Sequence, residues 1–520
     1  MNHNLYAQLY ELNKNSFDKP FITTPDGPSL TYGQMDERCG AMAAVLTHIG
    51  VKPGDRVVVQ VDKSPDAVAL YLACLRSGVV YVPLNPAYSA EEVGFFLGDT
   101  AATLFVFPPD RTTKLKPVAE IAGVDNILTL GGSSNKTVNS DDGSLAEAAN
   151  VIIDSLKSQD KKGPACHVND PSDLLALIYT SGTTGRPKAA MISHHNLATN
   201  AAALHKIWQW RPNDVLLHNL HFFHVHGLFI ALHPAMANSS EVLFLPEFDV
   251  AKVRQNLEKA TVMMGVPVQY RKLLNDTDFG PMDCSTIRLF LSGSAPLPHD
   301  MFREFTRRTG HIICERYGMT ECGVITTNLV DDSDPAVGSV GYPLPDVELR
   351  ITNDEGEPIP DGEIGQIHVR GPNVFSGYWQ LETKTKEVLS HDLFFATGDM
   401  GSIRTDGQLS LVGRDDDRII SGENHIYPKE VELILTEVEG VNEAAVVGLP
   451  HPELNQAVAA FITVADGITE NDVEVAIGHR LDNFKLPKAY FLTSDLPRNP
   501  VGKVQKKLLK EEYTNHFYEN

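Results

Sequence analysis

The sequence predicts an α/β protein with a large N-terminal domain of layered α/β sheets plus a β-rich subdomain, followed by a small α+β C-terminal domain. Three observations lead to this prediction. Helix-like stretches alternate with short apolar strands early in the chain, and closely spaced turns follow after about Val337. From Val431 the alternation returns, with Ala444–Gly448 and Ala459–Val464 as expected strands. Continuously apolar strands that alternate with helices are typical of parallel sheets covered on both faces.

The first alternation begins at about Leu30, and turn residues mark its limits. Its expected helices are Met35–Ile49 and Asp66–Ser77, and its expected strands are Val57–Val61 and Val79–Leu84. The polar segment from about Gly131 to Asp170 predicts a loosely structured surface connection. A second alternation of strands and helices runs from Leu174 to about Arg316.

The β-rich subdomain is predicted over about residues 337–415, because turns such as Asn353–Gly356 separate short strands there. The run Arg414-Asp-Asp-Asp-Arg418 would bring like charges together inside a strand, which is unfavourable, so it predicts an exposed joint. The N-terminal domain is therefore predicted at residues 1–415 and the C-terminal domain at residues 416–520.

The composition is that of a globular protein, with 42% hydrophobic and 21% charged residues in a chain of 520. Lys and Arg together number 44 against 67 Asp and Glu, which gives a formal net charge of −23. This balance argues against nucleic acid and against an anionic membrane surface as partners. It leaves room for a local basic pocket that binds phosphate, and it does not define an oligomeric state.

Cysteine use and the start of the chain favour a reducing compartment. The six cysteines form no C-x-x-C pair, so we expect buried, reduced thiols rather than a disulfide framework. The first residues lack the basic and apolar regions of a signal peptide, and no stretch reaches the roughly 18–20 apolar residues of a membrane span. We therefore expect a cytoplasmic protein.

The most informative segment is an apolar strand that runs into a loop of glycines and hydroxyls and ends on a cation, Leu174-Leu-Ala-Leu-Ile-Tyr-Thr-Ser-Gly-Thr-Thr-Gly-Arg-Pro-Lys188. Glycines let backbone amides face a ligand, and consecutive amides form an anion-binding site. With the charge of Lys188, the loop predicts a triphosphate site, and a plain surface turn is the alternative. The P-loop pattern does not fit, because the two glycines are too close together.

Four further motifs follow the loop, and together the five resemble the signatures of the adenylate-forming superfamily. That superfamily includes acyl-CoA synthetases, peptide adenylation domains and firefly luciferase. The further motifs are Ser292–Leu297, Glu315–Glu321, Thr397–Asp399 with Gly413-Arg414, and Pro497–Lys503. The resemblance covers nearly the whole chain and implies a mobile C-terminal domain and ATP-dependent activation of a carboxylic acid.

The resemblance also implies the site residues. The residues expected to contact ATP are Thr180, Ser181, Gly182, Thr183, Thr184, Lys188, Ser294, Ala295, Glu315, Tyr317, Gly318, Thr320, Asp399, Arg414 and Lys503. Lys503, Thr184 and Glu321 are the expected catalytic residues, and Glu321 is also the expected ligand of Mg²⁺. Tyr317 is expected to stack on adenine, and Asp399 is expected to accept the ribose hydroxyls. ATP, Mg²⁺ and CoA are therefore the expected small molecules.

Lys503 lies far from the phosphate loop in sequence, and members of the superfamily bring the two together by rotating the C-terminal domain about a hinge. Asp416 is the expected hinge residue because of its position after Gly413-Arg414. One orientation is expected to bring Lys503 to the adenylate. The other is expected to withdraw Lys503 and to open a path for the thiol of CoA.

Within the superfamily, the sequence most resembles malonyl-CoA synthetases. The resemblance is carried by segments such as Tyr81–Tyr88, His224–Phe229 and Gly502–Lys506. The sequence departs from that subfamily at Ala189, at His221, at Cys322, which is expected to border the acid pocket, and in the loop Ser421–Pro428.

Arg316 is the residue that points to the acid. It stands beside Tyr317, where relatives that activate fatty or aromatic acids carry a small apolar residue. A buried guanidinium needs an anionic partner, and the second carboxylate of a small dicarboxylic acid would provide one with two-point geometry. The resemblance implies that His224 and Ser294 complete this substrate site. Pairing of Arg316 with a protein carboxylate such as Glu315 is the alternative.

The sequence thus predicts an AMP-forming acid–CoA ligase that adenylates malonate or a close small dicarboxylate and then transfers the acyl group to CoA. Two alternatives stay open. The same mechanism could act on another short-chain or aromatic acid, or the protein could be a stand-alone adenylating enzyme that loads a carrier protein.

Overall fold

The structure is a computed structural model of the chain. It describes residues 2–25, 27, 29–131, 144–145, 163–180, 186–330, 338–422, 424–498 and 503–519. Most of the polar connection predicted between Gly131 and Asp170 lies outside these described residues, as do Ser181, Gly182, Thr183 and Thr184 of the phosphate loop.

The described residues contain strands and helices that alternate over most of the chain. The strands are β1 Pro20–Thr23, β2 Ser29–Thr31, β3 Arg56–Val59, β4 Val80–Pro83, β5 Leu104–Phe107, β6 Asn126–Thr129, β7 Leu174–Thr180, β8 Lys188–Ser193, β9 Val215–His218, β10 Glu241–Phe244, β11 Val262–Gly265, β12 Leu289–Ser292, β13 Ile313–Met319, β14 Gly323–Thr327, β15 Tyr342–Pro343, β16 Glu348–Thr352, β17 Gly365–Arg370, β18 Phe395–Ile403, β19 Leu409–Arg414, β20 Ile419–Ser421, β21 Asn424–Ile426, β22 Val441–His451, β23 Asn455–Val464 and β24 Ala489–Leu492. The helices are α1 Leu5–Asn13, α2 Tyr32–His48, α3 Pro65–Arg76, α4 Ala90–Thr100, α5 Thr112–Ile121, α6 His194–Ile207, α7 Leu232–Ala237, α8 Val250–Leu257, α9 Pro267–Asn275, α10 His299–Thr309, α11 Glu382–Val388, α12 Pro428–Thr436, α13 Glu470–Ile477, α14 Lys506–Glu512 and α15 His516–Glu519.

Two large sheets form the first part of the molecule. One has six strands in the order β6-β5-β3-β4-β7-β8, and it is parallel except for the antiparallel pair of β7 and β8. The other has nine strands in the order β15-β14-β13-β12-β11-β9-β10-β1-β2, with parallel pairing from β1 to β13 and antiparallel pairing at both ends. This arrangement confirms the predicted layers of α/β sheets.

Both faces of these sheets are buried, which explains the unbroken apolar strands. Val57 and Val59 of β3 pack in a central core that contains residues of both sheets and of α1–α3, α6 and α7. Val58 points to the opposite face and packs against α4 and α5. In the nine-stranded sheet, Leu216 lies in the central core, whereas Leu217 packs against α8, α9 and α10.

Two smaller sheets follow. Strands β16–β19 form a four-stranded antiparallel sheet, which is the predicted β-rich part, and β20–β24 form a five-stranded sheet with α12 and α13 packed against it. The charged run 414–418 lies between the last strand of one sheet and the first strand of the next, and its three aspartates form a 3₁₀ turn. Asp416 is the exposed one of these three aspartates, whereas Asp415 pairs with Arg418 and Asp417 pairs with Lys510.

The second predicted alternation, 174–316, is divided between the two large sheets: β7 and β8 complete the first sheet, and β9–β13 build the second. The periodicity of a strand shows that it is buried, but it does not show which sheet the strand joins.

Cys166 is half-buried and the other five cysteines are buried, and none forms a disulfide. Among the described residues, no helix is both long enough and apolar enough to cross a membrane.

Candidate active site

The predicted phosphate loop connects two antiparallel neighbours. Thr180 ends β7 and Lys188 begins β8, and the two residues face each other in the register of the pair. The chain therefore leaves the sheet at the end of β7 and re-enters it beside that point, at the start of β8. The ammonium of Lys188 lies 4.7 Å from the centre of the Tyr378 ring, which is close enough for a cation–π interaction.

Asp399 accepts two short hydrogen bonds in β18. The hydroxyl of Tyr317 donates to Oδ2 at 2.5 Å, and Nη1 of Arg414 donates to Oδ1 at 2.9 Å. The strand register enforces the second contact, because Asp399 and Arg414 are direct partners of β18 and β19. Burial and the nearby Asp399 charge raise the pKa of the Tyr317 hydroxyl, so it stays protonated and donates. Tyr317, Asp399 and Arg414 thus form one cluster.

Glu321 follows β13 and is buried. Its Oε1 accepts a hydrogen bond of 2.9 Å from the hydroxyl of Tyr378, and burial together with the Glu321 charge raises the pKa of that hydroxyl. A buried carboxylate that shares the Tyr378 side chain with the ammonium of Lys188 suits Mg²⁺, which binds through one or two protein carboxylates and the oxygens of a substrate phosphate. The residues present therefore fit the metal.

Gly318 and Glu315 complete this part of β13. A Cβ at Gly318 would come within 2.0 Å of the carbonyl oxygen of Gly323, so only glycine allows the close approach of β13 and β14. Glu315 accepts a hydrogen bond from the backbone amide of Leu297 at 3.2 Å. Burial raises the pKa of Glu315 to about 7, against the opposing charge of Lys429.

Two lysines from the last part of the chain reach the same region. Lys429, in the first turn of α12, donates to the carbonyl oxygen of Leu411 at 2.9 Å. Lys503 lies within electrostatic reach of the cluster: desolvation and the Arg414 charge lower its pKa, and the Asp399 charge raises it. The structure thus brings Lys503 close to the residues of β18 and β19, although about ninety residues separate them in sequence.

Arg316 points away from Glu315, because neighbouring side chains of a strand face opposite sides. Its side chain is 4% exposed, and its Nη2 has no hydrogen-bond partner among the described residues. Burial lowers the pKa of Arg316 to about 10, so it is charged at neutral pH. The alternative pairing with Glu315 is wrong, since no ion pair of Arg316 occurs in the described part of the chain. Within the described ranges, no carboxylate pairs with the guanidinium.

Ser294 and a histidine lie next to Arg316, but the histidine in contact with Ser294 is His226. The hydroxyl of Ser294 lies 3.3 Å from Nδ1 of His226, which begins a π-helical turn. Burial and then the Arg316 charge lower the pKa of His226. The predicted His224 is half-buried, with a pKa that desolvation lowers to about 4, and it lies close enough to His226 to lower the pKa of that ring further.

A family comparison agrees with this fold and site. The model of the AMP-binding enzymes matches residues 10–379, and the model of the AMP-binding enzyme C-terminal domain matches residues 430–503. The chain therefore belongs to the AMP-binding enzyme family. Within that family it is an adenylate-forming acyl-CoA ligase, which uses ATP, Mg²⁺ and CoA.

Individual relatives carry different names. A feruloyl-CoA synthase from Amycolatopsis sp is 32% identical, over 92% of this chain and 93% of its own length. A long-chain-fatty-acid–CoA ligase from Bacillus subtilis (strain 168) is 31% identical, over 94% and 91%. ATP-bound MatB from Rhodopseudomonas palustris is 40% identical with a TM-score of 0.93, covering 99% of this chain and 100% of that one. The apo structure of MatB gives a TM-score of 0.83 over the same shares.

The described site residues come from three sheets. Ser294, Ala295, Glu315, Tyr317, Gly318, Thr320 and Glu321 lie on or just after β12 and β13 of the nine-stranded sheet, Asp399 and Arg414 lie in the four-stranded sheet, and Thr180 and Lys188 lie in the six-stranded sheet. Sequence reasoning missed His226, Tyr378 and Lys429. His226 lies two residues after the predicted His224, and a strand-like pattern gives no sign of the π-helical turn that orients it. Tyr378 and Lys429 belong to segments that are distant in sequence from their partners, so no local sequence pattern predicts their contacts.

Proposed function

We propose that this acyl-CoA ligase activates malonate or a close small dicarboxylate. The observation that carries the proposal is the buried, charged guanidinium of Arg316, which has no anionic partner among the residues that the structure describes. Leaving a charge buried and unpaired is unfavourable, so the pocket is matched to a substrate that brings a carboxylate of its own. The resemblance to malonyl-CoA synthetases supports the same acid.

In the pocket, the carboxylate remote from the reaction would bind Arg316 through two hydrogen bonds, because a guanidinium and a carboxylate match in shape. Ser294 and His226 add polar groups beside it. Burial keeps His226 neutral near pH 7, so it can donate or accept one hydrogen bond without adding a second charge. Malonate is short, and a pocket that places one carboxylate on Arg316 leaves the other near the α-phosphate of ATP.

The first half-reaction joins the acid to AMP. An oxygen of the free carboxylate attacks the α-phosphorus of ATP, the bond from that phosphorus to the bridging oxygen breaks, and pyrophosphate leaves. Negative charge is concentrated on the phosphates in the transition state, where fixed cations and amides stabilise it. Lys188 and the phosphate loop stabilise the charge on the leaving pyrophosphate, and Lys503 stabilises the charge on the carboxylate and the α-phosphate. Glu321 would hold Mg²⁺, which neutralises phosphate charge.

The nucleoside would bind at the cluster of Tyr317, Asp399 and Arg414. The Asp399 carboxylate accepts the ribose hydroxyls, and Arg414 keeps that carboxylate in place through the contact at 2.9 Å. We expect adenine to stack on the ring of Tyr317, whose hydroxyl is held by Asp399.

The second half-reaction requires access for CoA. The sulfur of the thiol attacks the acyl carbon, AMP leaves, and the thiol proton passes to solvent. We propose that residues 416–520 rotate about Asp416 and withdraw Lys503 between the two steps. The higher TM-score to ATP-bound MatB than to apo MatB supports assigning the described orientation to the first step.

The test is a product assay with matched variants. The protein is incubated with MgATP, CoA and either malonate, methylmalonate, succinate, acetate, butyrate, benzoate or ferulate, and AMP and acyl-CoA are detected by mass spectrometry. We expect malonyl-CoA to be the main product of the wild type and to be lost in Arg316→Ala. Arg307→Ala, which removes an arginine that is 72% exposed, should still produce malonyl-CoA. A dominant aromatic, fatty or other acyl-CoA would overturn the choice of acid. Pyrophosphate exchange without acyl-CoA would instead indicate a carrier protein as acceptor.

A further inference from the structure

Tyr378 belongs to a segment that is fixed against the strand after the phosphate loop. It forms a β-bridge with Ala190 of β8. The amide of Met191 donates to the carbonyl oxygen of Gly377, and the amide of Trp379 donates to that of Ala189, both at 2.9 Å. The amide of Tyr378 itself donates to the hydroxyl of Thr385 at 2.9 Å. The backbone of Tyr378 therefore has one position relative to Lys188, which begins the same strand.

The side chain of Tyr378 contacts two oppositely charged groups at once. Its hydroxyl donates to Oε1 of Glu321 at 2.9 Å, and its ring centre lies 4.7 Å from the ammonium of Lys188. The side chain is 5% exposed, and its ring packs edge-on against Phe375 at 4.9 Å between centres. Glu321 is buried as well, so little water reaches its hydrogen bond with Tyr378, and this bond is stronger than it would be at the surface.

We propose that Tyr378 is a positioning residue that orders the metal-binding carboxylate of Glu321 and the phosphate-binding ammonium of Lys188 as one unit. The inference rests on the roles given to these two groups under the proposed function. The hydroxyl fixes one oxygen of Glu321 and the ring face offers Lys188 another contact, so both charges stay available to MgATP.

Substitution separates the two contacts. Tyr378→Phe removes the hydroxyl and keeps the ring, so it should affect Mg²⁺ and leave Lys188 in place. Loss of a residue that orients a metal ligand typically costs 10- to 100-fold in metal affinity. We therefore expect the Mg²⁺ concentration that gives half-maximal ATP binding to rise about tenfold or more. Tyr378→Leu removes both contacts and should also weaken ATP binding measured without Mg²⁺.

Calorimetry measures the binding of ATP to the full chain at a series of Mg²⁺ concentrations. A second measurement is the rise in melting temperature that ATP produces with and without Mg²⁺. Neither readout involves the acid, so the inference can fail while malonate activation holds, and the reverse. The control is Tyr342→Phe, which removes a hydroxyl that accepts a hydrogen bond from Gln408 away from the site.

A purely structural role would lower the melting temperature of the protein without ligand and leave the Mg²⁺ dependence unchanged. Wild-type Mg²⁺ dependence in Tyr378→Phe would therefore overturn the inference. If Tyr378→Leu does not fold, the Phe variant decides alone, because it keeps the packing against Phe375.

Discussion

Arg316 lies directly against Gly293, so a side chain added at position 293 would displace the guanidinium. A Cβ at position 293 would stand 2.4 Å from Nε and 2.5 Å from Cζ of the guanidinium. Gly293 directly follows β12 and has no side chain. The guanidinium of Arg316, on β13, can therefore occupy this position. The specificity proposed for Arg316 depends on a residue that contributes no polar group to the pocket.

The first prediction follows from this contact. Gly293→Ala should push the guanidinium away and weaken its hold on the remote carboxylate of malonate. A hydrogen bond to a charged group contributes about 1.5–3 kcal/mol, so kcat/KM for malonate should fall roughly 10- to 100-fold. The matched control is Gly280→Ala, where an added Cβ meets nothing within 4 Å. Unchanged malonate kinetics in the Gly293 variant would show that Arg316 does not bind the acid.

A second prediction concerns Lys503. Lys503→Ala should slow formation of the acyl-adenylate by about 100-fold or more, because it removes a fixed positive charge from a site where negative charge develops. Thioester formation from a supplied acyl-adenylate should be almost unaffected. Pyrophosphate exchange measures the first step, and acyl-CoA release from synthetic adenylate measures the second. Lys507→Ala, at an exposed lysine in the helix that follows Lys503, should leave both rates unchanged. Equal losses in both steps would contradict the role given to Lys503.

A third prediction concerns the joint. Asp416→Pro restricts φ at this position and the conformation of the residue before it, so rotation about the joint should be hindered. We expect one half-reaction to be damaged far more than the other, since the chain would be held near one orientation. Asp416→Ala removes the same carboxylate but leaves the backbone free, and should retain both. If the Pro variant loses both half-reactions equally, the hinge assignment is wrong.

A fourth prediction concerns acid stability. Nδ1 of His194 accepts a hydrogen bond from the amide of Leu5 at 3.1 Å, and burial lowers the pKa of His194 to about 4. Between that value and about 6.5, the unfolded chain binds more protons than the folded one, so stability falls as the pH falls through this range. The contribution of His194 is about 1.4 kcal/mol for each pH unit in that range.

This prediction is checked by melting temperatures at pH 7 and pH 4.5. Asn at position 194 keeps a hydrogen-bond acceptor but does not titrate. The melting temperature of His194→Asn should therefore fall less between pH 7 and pH 4.5 than that of the wild type. Identical losses would mean that other groups cause the acid sensitivity, among them His224 and His233, whose pKa values burial also lowers.

Sequence patterns predicted those parts of the molecule that depend on neighbours along the chain. The predicted strand Val79–Leu84 agrees within one residue at each end with the observed strand Val80–Pro83. A strand that is buried on both faces is a short run of apolar, β-branched residues, which is a distinct sequence pattern. The segments carrying Arg316, Asp399 and Lys503 could be singled out through motifs. The contacts of His226, Tyr378 and Lys429 could not, because each depends on how separate sheets and helices pack.

The bridge between Ala190 and Tyr378 also has a consequence during synthesis. Strand β8 is the last strand of its sheet, and its outer edge is covered by the segment around Gly377–Trp379. Met191 and Ser376, which meet there, are 185 residues apart in the chain. A ribosome adding 5–20 residues per second needs roughly 10–40 s to make that stretch. For this time the edge has free amides that can pair with another nascent chain, so slow translation of this region should favour aggregation.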